Sequence, residues 1–142
     1  MAADSSPVAI DHVGLAVADL EASVAFYHRL LGRGPSHRES VAQDAVEAVF
    51  FDLGSSSVEL LTSTDPSSSV GRFLERRGPG LHHVAYLVPD LEAELDRWSR
   101  WGAELVDQQP RPGARGRWVA FIHPKSAGGV LTELCQLRAQ PT

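Results

Sequence analysis

The sequence lacks several features that would place the protein in a special class. It has one cysteine, Cys135, which excludes an intrachain disulfide and an all-cysteine metal site, and we therefore expect a reducing, cytoplasmic setting. No apolar run approaches the ~20 residues of a transmembrane helix, and the N-terminus shows no cationic segment followed by an apolar one. We accordingly expect neither membrane insertion nor export by a signal peptide.

The chain also has fewer basic than acidic side chains, 13 Lys and Arg against 18 Asp and Glu. The formal net charge is −5, so the chain has no overall basic field with which to bind a nucleic acid. Any phosphate-bearing ligand must then be held by a few local Lys and Arg side chains. The 142 residues are enough for one buried core, or for two small fused modules.

Two segments of the chain resemble each other. IDHVGLAVADLEASVAFYHRLLG, which begins at Ile10, matches LHHVAYLVPDLEAELDRWSRWG, which begins at Leu81, so that His12 corresponds to His83 at an offset of 83 − 12 = 71 residues. Each segment opens with an apolar run typical of a buried strand and then reaches an Asp positioned to cap a helix. The pattern therefore predicts a duplicated strand–helix unit.

Further strands follow in each copy. VEAVFFDL and VELL flank a Gly-Ser turn in the first copy, and RWVAFI and GVLTEL flank a loop in the second, which predicts a pair of antiparallel strands in each. A weakly marked strand precedes each pair, so the predicted fold is α+β, with two tandem βαβββ modules. The predicted boundaries are 8–138 for a single domain, about 8–64 for the first module, about 68–77 for a linker helix and about 80–136 for the second module.

Four ionisable residues lie in these apolar strands. His12 and His83 occupy matching positions, and Glu59 and Glu133 lie in late strands of the two copies. One isolated histidine on an inward face would most simply be a hydrogen-bonded core residue, and a structural polar cluster is the alternative for all four. Burying two carboxylates is costly unless positive charge lies between them, and two imidazoles with two carboxylates suit Co²⁺, Mn²⁺, Ni²⁺, Zn²⁺ or Fe²⁺. The residues therefore predict a divalent metal site.

Two other residues near these strands have predicted roles. His82 adjoins His83 but points to the opposite face of the strand, so we predict that it is not a ligand. Glu47 shares a strand face with Val49 and Phe51, and we expect its carboxylate to project toward the metal without binding it, as a general base. The alternative is a glutamate at a strand end that points into water.

Taken together, these motifs resemble the vicinal oxygen chelate superfamily, which includes glyoxalase I and extradiol dioxygenases, and most of all its methylmalonyl-CoA epimerases. The resemblance is carried by IDHVGLAVADLEASVAFY, by QDAVEA from Gln43, by SSSVGRFLERRGPGLHHVAY and by HPKSAGGVLTEL from His123. It extends from about Ile10 to Gln136. It implies a curved mixed sheet around the metal site, a homodimer and an acyl-CoA thioester substrate that is epimerised at C2.

The resemblance also implies roles for individual residues. It assigns the metal, with Co²⁺ as the first choice, to His12, Glu59, His83 and Glu133, and the acid/base chemistry to Glu47 and Glu133. Gln43, Lys125 and Ser126 are expected to contact the substrate. Arg115 and Arg117, with Lys125, are candidates for binding the phosphates of coenzyme A, and solvated surface charges are the alternative for each of them.

Other functions on the same fold stay open at this point. A glyoxalase I-like isomerase uses the same four-ligand arrangement. A non-haem iron dioxygenase requires only two His and one carboxylate, which would leave Glu59 as an additional ligand. A non-enzymatic small-molecule-binding protein would need no metal.

Overall fold

The computed structural model describes residues 4–138, which form two compact units. One unit is residues 12–82, and the other is residues 83–138 together with the N-terminal segment up to Asp11. Each unit contains one βαβββ module, so the predicted α+β fold with two tandem modules is confirmed. Among the described residues, none of the helices combines the length and hydropathy that a membrane crossing requires.

The first unit consists of a four-stranded sheet and two helices. Its strands follow the order β2-β3-β4-β1, in which β1 and β4 are parallel and the other pairs are antiparallel. The elements are β1 (Ala9–Ala16, of which His12–Ala16 belong to this unit), α1 (Leu20–Leu31), β2 (His37–Val41), β3 (Val46–Leu53), β4 (Ser56–Ser63) and α2 (Ser69–Arg77).

Helix α1 begins where the sequence predicts, after Asp19, and it ends at a glycine. The Asp19 side chain accepts a hydrogen bond from the backbone N–H of Ala22 at 3.0 Å, and Gly32 ends the helix with a φ of 68°, a left-handed conformation that costs glycine little. An apolar stripe of α1 packs on one face of the sheet. The residues in this cluster are Leu20, Val24, Tyr27 and Leu31 of the helix and Val49, Phe51, Val58 and Leu60 of the strands.

Helix α2 packs on the other face of the same sheet. Ser68 caps it by accepting a hydrogen bond from the N–H of Gly71, and Val70 and Phe73 pack with Val46 and Leu61. Because side chains alternate along a strand, Val46 and Leu61 lie on the face opposite to Val49 and Leu60 of the α1 cluster.

The second unit repeats the arrangement. Its strands follow the order β5-β8-β7-β6, with β5 and β8 parallel and the other pairs antiparallel. Helix α3 is capped by Asp90, and its Leu91 and Leu95 pack on one face of this sheet. The elements are β5 (Gly80–Leu87, of which His83–Leu87 belong to this unit), α3 (Leu91–Arg100), β6 (Arg111–Pro112), β7 (Arg117–Ile122) and β8 (Leu131–Leu137).

Candidate metal centre

The first unit contains a buried pair of ligand-type side chains. Nε2 of His12 lies 3.4 Å from Oε1 of Glu59, and both side chains are less than a tenth exposed. The parallel pairing of β1 and β4 sets Glu59 beside Gly14, two residues after His12, so alternation puts both side chains on one face. Phe50 pairs with Glu59 across β3 and β4. Its ring packs edge-on against the His12 imidazole, with the ring centroids 5.7 Å apart. One aromatic ring thus packs against the histidine of this pair.

The second unit contains an equivalent pair. Nε2 of His83 lies 3.6 Å from Oε1 of Glu133, and these side chains are also less than a tenth exposed. Glu133 pairs with Ala85, again two residues after the histidine. The ring of Phe121 packs edge-on against the His83 imidazole, with the ring centroids 5.7 Å apart. The duplication seen in the sequence is therefore a duplication of side-chain geometry, because His, Glu and Phe recur with the same register.

The donor set of these pairs fits a divalent metal ion. Imidazole nitrogens and carboxylate oxygens are ligands of borderline hardness, and a carboxylate in each buried pair favours a cation nearby. Each unit thus contains one buried imidazole and one buried carboxylate that can serve as metal ligands. The assignment of His12, Glu59, His83 and Glu133 as metal ligands stays a prediction.

His82 behaves differently from its neighbour in sequence. Its ring contacts Phe73 of α2 at 4.9 Å, so it packs against the linker helix within the first unit. Adjacent residues of a strand point to opposite faces, which explains why two consecutive histidines have different surroundings. The prediction that His82 is not a ligand stays a prediction.

Glu47 lies on a different face from the one the sequence suggested. It does share a face with Val49 and Phe51, but these residues pack against α1, whereas Phe50 lies on the face of the His12–Glu59 pair. Strand β3 pairs with β4 without interruption from Val46 to Leu53, so the alternation is regular and Glu47 is on the α1 side. The prediction that Glu47 projects toward that pair was therefore wrong.

The contacts of Glu47 agree with this placement. Its carboxylate accepts a hydrogen bond from Nε of Arg38 at 3.0 Å, and the same guanidinium forms an ion pair with Glu21 of α1. About a third of the Glu47 side chain is exposed. The arrangement links β2, β3 and α1, and the catalytic role assigned to Glu47 stays a prediction.

The residues expected to contact substrate lie in two short 3₁₀ turns. Gln43 lies in the turn Ala42–Asp44, just before β3. Lys125 and Ser126 lie in the turn Pro124–Ser126 between β7 and β8, and both are exposed. The Ser126 hydroxyl accepts a hydrogen bond from the backbone N–H of Glu104 at 2.8 Å, which holds the turn in place.

Arg115 and Arg117 are paired rather than solvated. Both guanidinium groups lie near the buried carboxylate of Asp11, at 2.7 Å and 3.4 Å. The alternative of two free surface charges is therefore excluded. Sequence reasoning missed Asp11 as their partner, although a carboxylate in the apolar run AIDHVGLA was a signal that a cation must lie close to it.

Sequence reasoning also missed Glu94, which is fully buried in α3. Its carboxylate accepts hydrogen bonds from Ser5 Oγ at 2.7 Å and Trp98 Nε1 at 3.0 Å, and it forms an ion pair with Arg97. Burial raises the pKa of this carboxyl, but the three donors outweigh burial and hold the pKa below its ordinary value. The helical pattern did carry a signal, because Glu94 lies between Leu91, Leu95 and Trp98 on the apolar stripe of α3, whereas its exposed neighbour Glu92 lies off that stripe.

Comparisons with known proteins agree with these features. Residues 11–121 match the model of the glyoxalase/bleomycin resistance protein/dioxygenase superfamily. An ethylmalonyl-CoA/methylmalonyl-CoA epimerase of Cereibacter sphaeroides is 36% identical over 130 residues, covering 90% of this chain and 97% of the relative. An uncharacterized protein of Bacillus subtilis, YqjC, is 40% identical over 127 residues, covering 89% and 91%.

A solved structure with a bound acyl-CoA analogue has the same fold. Streptomyces coelicolor methylmalonyl-CoA epimerase in complex with 2-nitronate-propionyl-CoA superimposes with a TM-score of 0.91 at 34% identity, covering 96% of this chain and 99% of the other. The repeated His–Glu pairs, the two βαβββ modules and these similarities lead to one assignment. The chain belongs to the glyoxalase/bleomycin resistance protein/dioxygenase superfamily and, within it, to the family of methylmalonyl-CoA epimerases.

Proposed function

We propose that the protein interconverts the (2R) and (2S) forms of methylmalonyl-CoA, or of a close malonyl-type thioester. The observation that carries the proposal is the pair of buried His and Glu side chains present in each unit. Epimerisation at C2 requires removal of a proton next to a thioester carbonyl. The relatives of this protein that are named as epimerases match it across nearly their whole length. The protein is on this basis an isomerase.

We propose that one divalent metal ion is bound by His12, Glu59, His83 and Glu133, with Co²⁺ as the first choice and Mn²⁺, Ni²⁺, Zn²⁺ or Fe²⁺ as the others. When bound, such an ion supplies Lewis-acid stabilisation of negative charge on the thioester oxygen, which lowers the pKa of the C2 hydrogen. The imidazoles bind through nitrogen in their neutral form, and the glutamates contribute the negative charge that favours a dication.

Inversion at C2 needs one group to remove the proton from one face of the carbon and another to deliver a proton to the opposite face. We assign one of these roles to Glu133, whose buried carboxylate lies beside His83, the imidazole of which packs against Phe121. The sequence assigned the other role to Glu47, which lies on the α1 face of β3 rather than on the face of His12 and Glu59, and the substitution described in the Discussion tests that role. Enclosure by apolar side chains strengthens the electrostatic interactions of Glu133 with a reacting group.

We propose that residues of the two exposed 3₁₀ turns contact the rest of the substrate. Lys125 is exposed and can offer an ammonium group to a phosphate of coenzyme A, and Ser126 and Gln43 can offer hydrogen bonds. We further propose a homodimer, and a cytoplasmic location that suits the reduced state of the buried Cys135.

Proton NMR of (2R)- or (2S)-methylmalonyl-CoA in D₂O tests the function directly. Protein loaded with Co²⁺ should exchange the C2 hydrogen for deuterium and produce both configurations, and chelator-treated protein should not. Exchange no faster than in the chelator control would reject the epimerase function. Turnover of a hemithioacetal would then identify glyoxalase-like chemistry, and binding without turnover would identify a ligand-binding protein.

A further inference from the structure

The outermost strand of the first unit carries a histidine–carboxylate pair that the equivalent strand of the second unit lacks. On β2, Nε2 of His37 lies 2.7 Å from Oε1 of Glu39, so the carboxylate accepts a hydrogen bond from the imidazole. The equivalent strand of the second unit, β6, consists of Arg111 and Pro112. The β2 pair is therefore separate from the duplicated arrangement of His, Glu and Phe.

Strand register places this pair on the same face of the sheet as His12 and Glu59. His37 pairs with Phe50 of β3, which in turn pairs with Glu59 of β4, and residues directly opposite each other on antiparallel strands share a face. The Phe50 ring contacts both imidazoles, with its centroid 5.7 Å from that of His12 and 6.1 Å from that of His37. Arg38, the residue after His37, points to the opposite face and contacts α1.

Few other ionisable side chains of strands β1 to β4 share this face. Besides the two His–Glu pairs, register adds only Asp52, whose carboxylate accepts a hydrogen bond from Oγ of Ser57 at 2.8 Å. An imidazole, unlike a carboxylate, both takes up and releases a proton readily near neutral pH. The side chain of His37 is 42% exposed, so it can recover a proton from solvent. His37 is therefore the side chain of this face best suited to supply a proton.

We propose that His37, oriented by Glu39, is the second proton-transfer group of the epimerisation, in the role that the sequence assigned to Glu47, and that it acts through a water molecule. This inference rests on the proposed function, in which Glu133 removes the C2 proton and leaves the electron pair on the substrate. A general acid can act through one intervening water, and a neighbouring carboxylate fixes the orientation and tautomer of an imidazole.

The proton transfers balance over one inversion. The C2–H bond breaks and its proton goes to the carboxylate of Glu133, while the electron pair stays on the substrate as a carbanion. The imidazolium of His37 gives a proton to the water, and the water gives a proton to the opposite face of C2, where the new bond forms. His37 is then neutral and Glu133 protonated, and exchange with solvent restores both. In the reverse reaction the two residues exchange roles.

Measuring exchange and inversion separately tests this role. Each C2 epimer of methylmalonyl-CoA is incubated with Co²⁺-loaded protein in D₂O, deuterium at C2 is followed by mass spectrometry, and the two epimers are separated by chromatography. Native protein should exchange and invert both epimers. In His37→Gln, Glu133 can still remove a proton from one epimer and return deuterium to the same face, so exchange of that epimer should persist. Inversion should fall by about 10²-fold or more, the contribution typical of a general acid.

Other variants separate this role from a structural one. Glu39→Gln keeps the imidazole but loses the charged acceptor, so the ratio of inversion to exchange should fall by a smaller factor. Added imidazole should partly restore inversion in His37→Ala, because a free imidazole can carry the same proton. His28→Gln is the matched control and should leave both rates unchanged, since His28 is exposed on α1, which packs on the opposite face of the sheet.

The ratio of inversion to exchange decides the inference. Unchanged inversion in His37→Gln, or a loss of exchange and inversion in equal proportion, would overturn it while the proposed function stands. If His37→Gln does not fold, His37→Ala with and without imidazole is judged by the same ratio. Exchange of neither epimer by native protein would instead reject the proposed function, and the role of His37 with it.

Discussion

Glu133 lies 3.6 Å from the imidazole of His83. In the parallel pairing of β5 and β8, Glu133 lies beside Ala85, which is two residues after that histidine. The same spacing relates Glu59 to His12 in the other unit. A parallel pair of strands with regular alternation is sufficient to bring an imidazole and a carboxylate together, so duplication of the module duplicates the pair.

His83→Ala should abolish tight metal binding, because it removes one nitrogen ligand and leaves Glu133 buried beside an empty space. Metal content after Co²⁺ loading and desalting, measured by atomic absorption, checks this expectation. His82→Ala is the control, since His82 contacts Phe73 instead. Equal metal content in native protein and His83→Ala would remove His83 from the proposed ligand set.

Glu47→Gln should leave the metal content unchanged, because Glu47 lies on the α1 face of β3. If the predicted acid/base role holds, turnover should fall by about 10²–10⁴-fold, as is typical for loss of a general acid or base. Rates of C2 exchange measure the effect. Arg38→Gln is the matched control, because it breaks the same ion pair but keeps the carboxylate. Similar rates in the two variants would mean that Glu47 acts only through its contact with Arg38.

Glu94→Gln should lower the free energy of unfolding at pH 7 by about 1–3 kcal/mol, because it weakens a buried carboxylate's hydrogen bonds to Ser5, Arg97 and Trp98. Urea unfolding checks this value. Glu92→Gln, on the exposed side of the same helix, should change it by less than about 0.5 kcal/mol.

The stabilisation from Glu94 should also depend on pH. Hydrogen bonds hold its pKa in the folded state below the ordinary value of 4.5, so the contribution is fully present above that pH. It is lost as the pH falls through the folded-state pKa. The difference in unfolding free energy between native protein and Glu94→Gln should therefore shrink below about pH 4.5, and a difference that grows on acidification would contradict the assigned direction.

Cys135 should be unreactive in the folded protein. Burial raises the pKa of its thiol, and the negative charges of Glu133 and Asp11 raise it further. Because the thiolate is the nucleophile, a disulfide reagent at pH 8 should label native protein very slowly and label guanidinium-unfolded protein at one thiol per chain. Rapid labelling of native protein would show that the strand opens around Cys135.

The sequence alone determined the periodic and repeated parts of the molecule. Asp19 and Asp90 cap helices where predicted, and the apolar stripe from Leu20 to Leu31 packs as its spacing required. These features depend on local hydrogen bonding and on side-chain periodicity, and both can be recognised in a short stretch of sequence. The matching positions of His12 and His83 were likewise visible as a repeat.

Only the tertiary structure decided which face a residue occupies and which distant group it contacts. Alternation showed that Glu47 shares a face with Val49, but the packing of α1 was needed to show that this face is not the one of His12 and Glu59. The contact of Asp11 with Arg115 joins residues 104 positions apart. No local pattern specifies such a pair, because the free energy that selects it comes from burial of the assembled sheet rather than from the propensity of any one segment.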